Sequence, residues 1–217
     1  MLRARTRDLS IQPFADCGTQ VDPRQYDTEQ VWYPSRDGTR VSMFLVHRRD
    51  VVRDAQRPVW LTAYGGFNIN LVPDFDPAHF VWLDCGGVLA VPNLRGGGEY
   101  GEGWHRAGVR HRKQNVFDDC IGAAEWLIAE RYTRAGLIVL EGGSNGGLLV
   151  SAVLTQRPDL PGAVVCRVPV ADMLRYHLFT IGRFWIPEYG SADDPGDFQV
   201  LYAYSPLHRV RDDVEYP

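Results

Sequence analysis

The apolar run Gly-Leu-Ile-Val-Leu-Glu at 136–141, the turn Gly142-Gly143-Ser144-Asn145-Gly146-Gly147 and the apolar segment up to 156 constrain this chain more than any other stretch. A continuous apolar run of strand length is the pattern of a parallel strand covered on both faces. A turn that passes directly from such a strand into a helix leaves little room for Cβ atoms beside its apex, and glycine removes them. Gly142-Gly143-Ser144-Asn145-Gly146 satisfies G-x-S-x-G, the pattern in which a strained strand-to-helix turn exposes a serine hydroxyl at the strand's C-terminal end. The helix N-terminus behind it favours developing negative charge. Ser144 is therefore a candidate nucleophile.

Elements on either side give this turn an α/β setting. Residues 30–34 and 40–46 are short β-rich runs joined across Ser35-Arg36-Asp37-Gly38, where Asp-Gly signals a hairpin, so an antiparallel pair is expected to open the domain. Residues 59–63 and 87–92 read as buried strands with a short helix at 78–85 between them. Over 115–131, Phe117, Ile121, Ala124 and Ile128 recur at helical spacing and mark one buried face. After the helix that follows Ser144, residues 163–168 read as a further buried strand. This alternation predicts an α/β fold with a mostly parallel sheet and helices on both faces. Residues 1–29 read as a weakly structured leader, and 170–217 as an aromatic-rich, Pro-punctuated tail with no further run of strand length.

Composition narrows the function. Of the 217 residues 45% are hydrophobic and 23% charged, the balance of a soluble globular chain. No apolar stretch approaches the ~18–20 residues that span a bilayer, so no membrane association is expected. Twenty-three basic residues against 27 acidic ones give a net charge of −4, which offers no field for nucleic acid. Of the basic residues only Lys113 is a lysine, a bias that reads as codon usage. Cys17, Cys85, Cys120 and Cys166 lack metal-binding spacing and read as free buried thiols, with no metal and no cofactor implied. Arg3, Arg5 and Arg7 are followed by no apolar signal segment, so the cytoplasm is the default compartment.

Acyl transfer needs donors for the oxyanion, commonly the N–H after the nucleophile and one from a loop after an early strand. The Asn145 N–H fills the first place. Tyr64-Gly65-Gly66-Phe67 stands where the second is expected, though a tyrosine before a Gly-Gly turn also suits a core position. Gly96-Gly97-Gly98-Glu99-Tyr100-Gly101 satisfies G-x-G-x-x-G, with Asp118 and Asp119 about 20 residues on, as in dinucleotide sites. The polar, glycine-broken stretch behind it offers no helix N-terminus for a pyrophosphate, and an ordered loop with Arg95 in buried polar contacts is expected instead. Asp118 and Asp119 read as surface carboxylates complementing a helix dipole.

From about residue 30 onward the sequence resembles the prolyl oligopeptidases, serine peptidases with an α/β-hydrolase catalytic domain capped by a β-propeller. The resemblance rests on Trp32-Tyr33-Pro34-Ser35-Arg36-Asp37-Gly38, Tyr64-Gly65-Gly66-Phe67, Asn93-Leu94-Arg95-Gly96-Gly97-Gly98, Lys113-Gln114-Asn115-Val116-Phe117-Asp118-Asp119, Gly142-Gly143-Ser144-Asn145-Gly146-Gly147 and Tyr204-Ser205-Pro206-Leu207-His208. It implies Ser144 as nucleophile, with the Tyr64 hydroxyl and the Asn145 amide on the oxyanion. It also implies a proline slot at Phe67, Val170, Ile181, Trp185 and Tyr189, and short proline-containing peptides as the substrate class. By spacing alone, Trp185 and Tyr189 read as core aromatics.

In the resemblance the catalytic aspartate and histidine follow later strands, and neither His177 nor His208 matches the histidine. Residues 30–217 are therefore expected to be a partial hydrolase domain without the propeller and without its last strands, inactive alone and open to completion by another chain. Its sheet should then end in an unpaired strand with uncovered apolar faces. The other readings are a non-catalytic hydrolase-fold remnant or interaction module, and a fragment of a related oligopeptidase or acylaminoacyl-peptidase.

Overall fold

The computed structural model describes residues 2–4, 7, 8, 10–13, 21–72 and 74–217. Strands β1 (Leu2–Ala4) and β2 (Ile11–Pro13) form a small antiparallel pair. The remainder of the expected leader lies partly outside the described residues, as does Cys17. Within that leader Asp22 caps a 3-10 turn at Pro23–Gln25, and β3 (Tyr26–Pro34) already begins, ahead of the expected position 30. β3 pairs in antiparallel register with β4 (Arg40–Arg48) across a turn in which Gly38 has φ 81° and its N–H donates to the Ser35 carbonyl. Alternation sets the faces: Val41, Met43 and Leu45 of β4 are buried, as is Tyr33 opposite.

Strand β5 (Val59–Thr62), helix α1 (Pro77–Asp84) and strand β6 (Val88–Pro92) follow, and Asp76 caps α1. Then come the short helix α2 (Glu102–Arg106), the long α3 (Gln114–Ala129), β7 (Ile138–Gly143), α4 (Asn145–Gln156) and β8 (Pro161–Arg167). Three further helices, α5 (Ile186–Tyr189), α6 (Pro195–Tyr204) and α7 (Pro206–Arg209), close the chain.

The main sheet runs β3-β4-β6-β5-β7-β8, antiparallel from β3 to β6 and parallel from β6 to β8. From β5 the chain steps one way to β6, then back past β5 to β7. Right-handed crossovers therefore place α1 on one face and α3 with α4 on the other. This reversal of direction opens a crevice at the carboxyl ends of β5 and β7, where α/β sheets bind ligands. Tyr64 and Ser144 follow those two strand ends.

The main core lies on the α3–α4 face of the sheet, with Val116, Phe117, Cys120, Ala124 and Leu127 of α3 and Leu148, Leu149, Val150 and Val153 of α4 buried in it. Two expectations fail on burial. Asp119 is fully buried rather than a surface carboxylate, while Asp118 is half-buried. Asp119 accepts from the Arg95 backbone N–H at 3.0 Å and from its guanidinium at 2.6 Å. The same guanidinium reaches Ser35 Oγ at 3.0 Å and Asp37 at 2.6 Å, holding the Asp37 carboxyl down to about 2. A buried ion pair thus ties the hairpin turn, the loop after β6 and the first turns of α3 together.

The second failure is β8, expected as a buried strand. It starts earlier, at Pro161, and most of its residues are exposed, Cys166 among them; Cys85 is exposed too, and of the described cysteines only Cys120 is buried. β8 is the last strand of the sheet and pairs only with β7 among the described residues, which leaves Val165 45% exposed. Its apolar sequence is that of a covered strand, but nothing described lies beyond it.

Removing one partner of a buried pair strands the other charge. Asp119→Ala is expected to lower the unfolding free energy by about 3–5 kcal/mol, and Asp118→Ala by less than about 0.5 kcal/mol, as read from urea denaturation.

Candidate active site

Ser144 occupies the apex between β7 and α4 with φ 57° and ψ −115°, a strained conformation for a residue with a Cβ. Its backbone is pinned on both sides: its N–H donates to the Arg167 carbonyl at 2.9 Å, and its carbonyl accepts from the Leu148 N–H at 3.1 Å. The side chain is exposed. Close approach explains two of the glycines. A Cβ on Gly142 would lie 2.1 Å from the Gly146 carbonyl oxygen, and one on Gly146 2.6 Å from the Ala63 oxygen. Gly143 differs, since the nearest atom to its Cβ would be 3.8 Å away.

Register brings the second element beside the first. Thr62 of β5 pairs with Glu141 of β7, so Tyr64 stands level with Gly143, the last residue of β7, and its phenol meets the Ser144 hydroxyl. The phenol is half-buried; burial raises it above the ordinary tyrosine value, while the neighbouring Ser144 hydroxyl lowers it. It therefore remains a proton donor at neutral pH. As the first residue of α4, Asn145 has an N–H with no acceptor inside the helix, free for an oxyanion.

The loop that carries Tyr64 is itself strained, with Phe67 at φ 56° and Asn68 at φ 57°. Several buried groups hold it. The Asn145 side-chain amide donates to the Tyr64 carbonyl and accepts from the Tyr189 hydroxyl at 2.9 Å. Lys113 Nζ donates to the Gly65 carbonyl at 3.1 Å, and the Phe67 N–H donates to Glu188 Oε1 at 3.0 Å. Lys113 also lies 3.4 Å from that oxygen, and Glu188 Oε2 meets His105 Nε2 at 2.8 Å. Tyr64, Phe67, Asn145 and Tyr189 of this network were expected at the site, whereas Lys113, Glu188 and His105 were not, because their contacts join segments far apart in the sequence.

The Gly96–Gly101 motif takes a different role from nucleotide binding. A five-residue helix, α2, does follow it, contrary to the expected loop. The motif's N–H groups are nevertheless spent internally: Gly96 donates to Trp104, Gly97 to Leu94 and Gly101 to Gly98. A Cβ on Gly96 would fall 2.6 Å from the Gly65 oxygen, and the Gly96 carbonyl accepts from the Asn68 N–H. These glycines let their loop pack directly against the one bearing Tyr64.

Two adjoining cavities open at Ser144. One, of about 190 Å³, is lined by Tyr64, Phe67, Ile69, Ser144, Val170, Trp185 and Tyr189. Phe67 meets Tyr189 edge-on at 5.6 Å and Trp185 at 6.5 Å, so three aromatic rings wall an apolar slot. The other, of about 230 Å³, includes Val168, Val170, Tyr176, Phe179, Thr180 and Trp185. Ile181 lies outside both and is 58% exposed, while Ile69, which sequence reasoning missed, lines the slot. Val168 and Thr180, like Ser144 and Phe67, carry positive φ values, so four strained residues line these cavities. Strain of this kind clusters at functional sites.

None of the six histidines lines either cavity. His47 contacts Glu29, His79 the Trp60 ring, His105 Glu188, His111 Asp197, His177 Asp193 and His208 Ser205. Among the described residues no group of three or more His, Cys, Asp or Glu is arranged to hold a metal, and no helix is long and apolar enough to cross a membrane.

Residues 73–217 match the model of the prolyl oligopeptidase family. The chain is 46% identical over 199 residues to a prolyl endopeptidase of Elizabethkingia miricola, covering 91% of this chain and 28% of that protein. It is 47% identical over 196 residues to a prolyl endopeptidase of Dictyostelium discoideum, covering 88% and 26%. Among solved structures, one from a mechanistic study of two prolyl endopeptidases superposes with a TM-score of 0.94 at 54% identity, covering 100% of this chain and 32% of that one. Apo prolyl oligopeptidase B from Galerina marginata gives a TM-score of 0.90 at 40% identity, covering 99% and 31%. The chain thus spans under a third of the length of these relatives.

The close contacts at the turn predict a contrast. Gly142→Ala should destabilise the chain by at least about 1–3 kcal/mol through overpacking against backbone, and Gly143→Ala by less than about 0.5 kcal/mol, both measured by chemical denaturation.

Proposed function

Because the chain belongs to the prolyl oligopeptidase family, we propose that it carries the nucleophile half of a serine peptidase site that cleaves short peptides after proline through an acyl-enzyme on Ser144. The observation that carries this reading is the strained, exposed Ser144 opposite the Tyr64 phenol, beside a slot walled by Phe67, Trp185 and Tyr189. Proline suits that slot, since its ring is compact and apolar and has no N–H to satisfy. In the attack, Ser144 Oγ adds to the proline's own carbonyl carbon and gives up its proton to a base, the oxyanion accepts from the Tyr64 hydroxyl and the Asn145 N–H, and collapse breaks the C–N bond, leaving the prolyl ester on Ser144 and an amine that departs with that proton.

The serine proton needs an acceptor, and a serine without its base is a weak nucleophile. No histidine lines either cavity at Ser144, which supports the reading that the base is not supplied from within residues 1–217. Structures of the Galerina marginata enzyme bound to its peptide substrates carry alanine in place of a serine, an aspartate or a histidine. In that enzyme the aspartate and histidine both follow the serine by more residues than follow Ser144 here. The uncovered β8, with Val165, Val168, Phe179 and Phe184 exposed nearby, offers the edge on which further strands, in the same chain or a complementing one, would complete the site.

The test is cleavage of a fluorogenic proline-containing peptide by residues 1–217 alone and fused to the C-terminal segment of a relative. The chain alone should show no turnover above background. The fusion should cleave after proline, losing about 10⁴–10⁶ in turnover on Ser144→Ala and about 10²–10³ on Tyr64→Phe. Cleavage by the unfused chain that depends on Ser144 would overturn the incomplete-site reading, and a folded but inert fusion the peptidase reading.

A further inference from the structure

Lys113 is the chain's single lysine, in a sequence that uses arginine at each of its other basic positions. It is also 1% exposed, buried beneath the loop that carries Tyr64. A side chain with a slender stem and a compact ammonium fits there; a guanidinium with five donors in a fixed fork does not match one carbonyl and one carboxylate oxygen. Its Nζ lies 5.3 Å from the centre of the Tyr189 ring, whose hydroxyl is turned away to Asn145. Glu188, 5% exposed, answers it and spreads three contacts over the site: Lys113, the Phe67 N–H and His105.

We propose that Lys113 and Glu188 are positioning residues for the Tyr64 hydroxyl: their buried ion pair grips the Tyr64–Phe67 turn at the Gly65 carbonyl and the Phe67 N–H, and holds that strained turn in the geometry that sets the phenol opposite Ser144. The inference rests on the reading of Tyr64 as an oxyanion donor and adds the device that places it. Holding the turn at both ends matters because Phe67, at φ 56°, has an unstrained alternative to which it would relax when released.

The pair faces few other charges. His105 contacts Glu188 from α2 and has Glu102 3.8 Å from its other nitrogen. Tyr64, Tyr189 and Tyr204 each feel the Glu188 charge. Arg110, His111 and Asp197 form a separate cluster nearby. Burial lowers Lys113 to about 8, against the attraction of Glu188, so raising the pH through that value removes the ammonium charge from the pair.

A single lysine makes the test direct. With ¹³Cε-lysine, ¹⁵N-phenylalanine and ¹³Cζ-tyrosine labels in the 217-residue chain, one lysine signal is observed, and the Phe67 and Tyr64 signals are assigned by Phe67→Leu and Tyr64→Phe. On raising the pH, the lysine signal should step with a midpoint near 8. The Phe67 amide and the Tyr64 ring carbon should step at that same midpoint, whereas the signals of distant tyrosines such as Tyr26 should not. In Glu188→Gln the lysine midpoint should fall by about one pH unit or more, and both loop signals should move with it. Loop signals that stay flat through the lysine step, or a lysine midpoint indifferent to Glu188→Gln, would overturn the positioning role. The wild-type titration needs no variant of the pair, so misfolding of Glu188→Gln leaves the first criterion decisive. Absence of peptide cleavage by the completed enzyme would leave these couplings intact and would count against the peptidase reading alone.

Discussion

Everything at the crevice depends on one backbone constraint: Ser144 is held at φ 57° and ψ −115° between a strand and a helix. Such a conformation costs about 1–3 kcal/mol and persists only where its surroundings over-determine it. Here they do so from several sides. The Gly142 and Gly146 backbones approach so closely that no side chain fits between them, Ala63 just after β5 abuts Gly146, and Arg167 of β8 accepts the Ser144 N–H. The hydroxyl is exposed as a result of this packing, with no need for a flexible loop.

The second constraint is topological. The sheet reverses its order at β5, so the loops after β5 and β7 diverge to opposite faces and leave a crevice between them. Tyr64 enters that crevice at the height of the turn, and a strained loop keeps it there. Two buried ion pairs brace the surrounding loops: Arg95 with Asp119 below the hairpin, and Lys113 with Glu188 below Tyr64. Burying charge is costly, and each pair sits where loops of irregular backbone meet. The glycines at 96 and 98 serve the same end by letting two loops touch along their backbones.

Much of this was legible in the sequence because it is local. The turn at Ser144, the Asp-Gly hairpin and the period of α3 are written within spans of a few residues, and the parallel alternation follows from them. Phe67, Trp185 and Tyr189 wall one slot, and the core reading that spacing gave also holds, since Tyr189 is buried in the core and Trp185 packs against it. What escaped was contact between distant segments. Asp119 looked like a surface carboxylate because nothing in its own helix announces Arg95. Lys113 gave no sign of its contacts, since the scarcity of lysine read as codon usage and its carboxylate partner is 75 positions away. β8 misled in the opposite sense, since its apolar run signals cover that the described residues do not provide.

The central claim is that the chain itself, with no partner bound, presents Ser144 and Tyr64 assembled at the strand ends. A crystal structure of residues 1–217 alone tests it most directly. The account predicts Ser144 with positive φ, its N–H on the Arg167 carbonyl, and the Tyr64 phenol facing its hydroxyl across the slot. A Ser144 relaxed to ordinary helical or extended angles, or a Tyr64 turned out of the crevice, would contradict it.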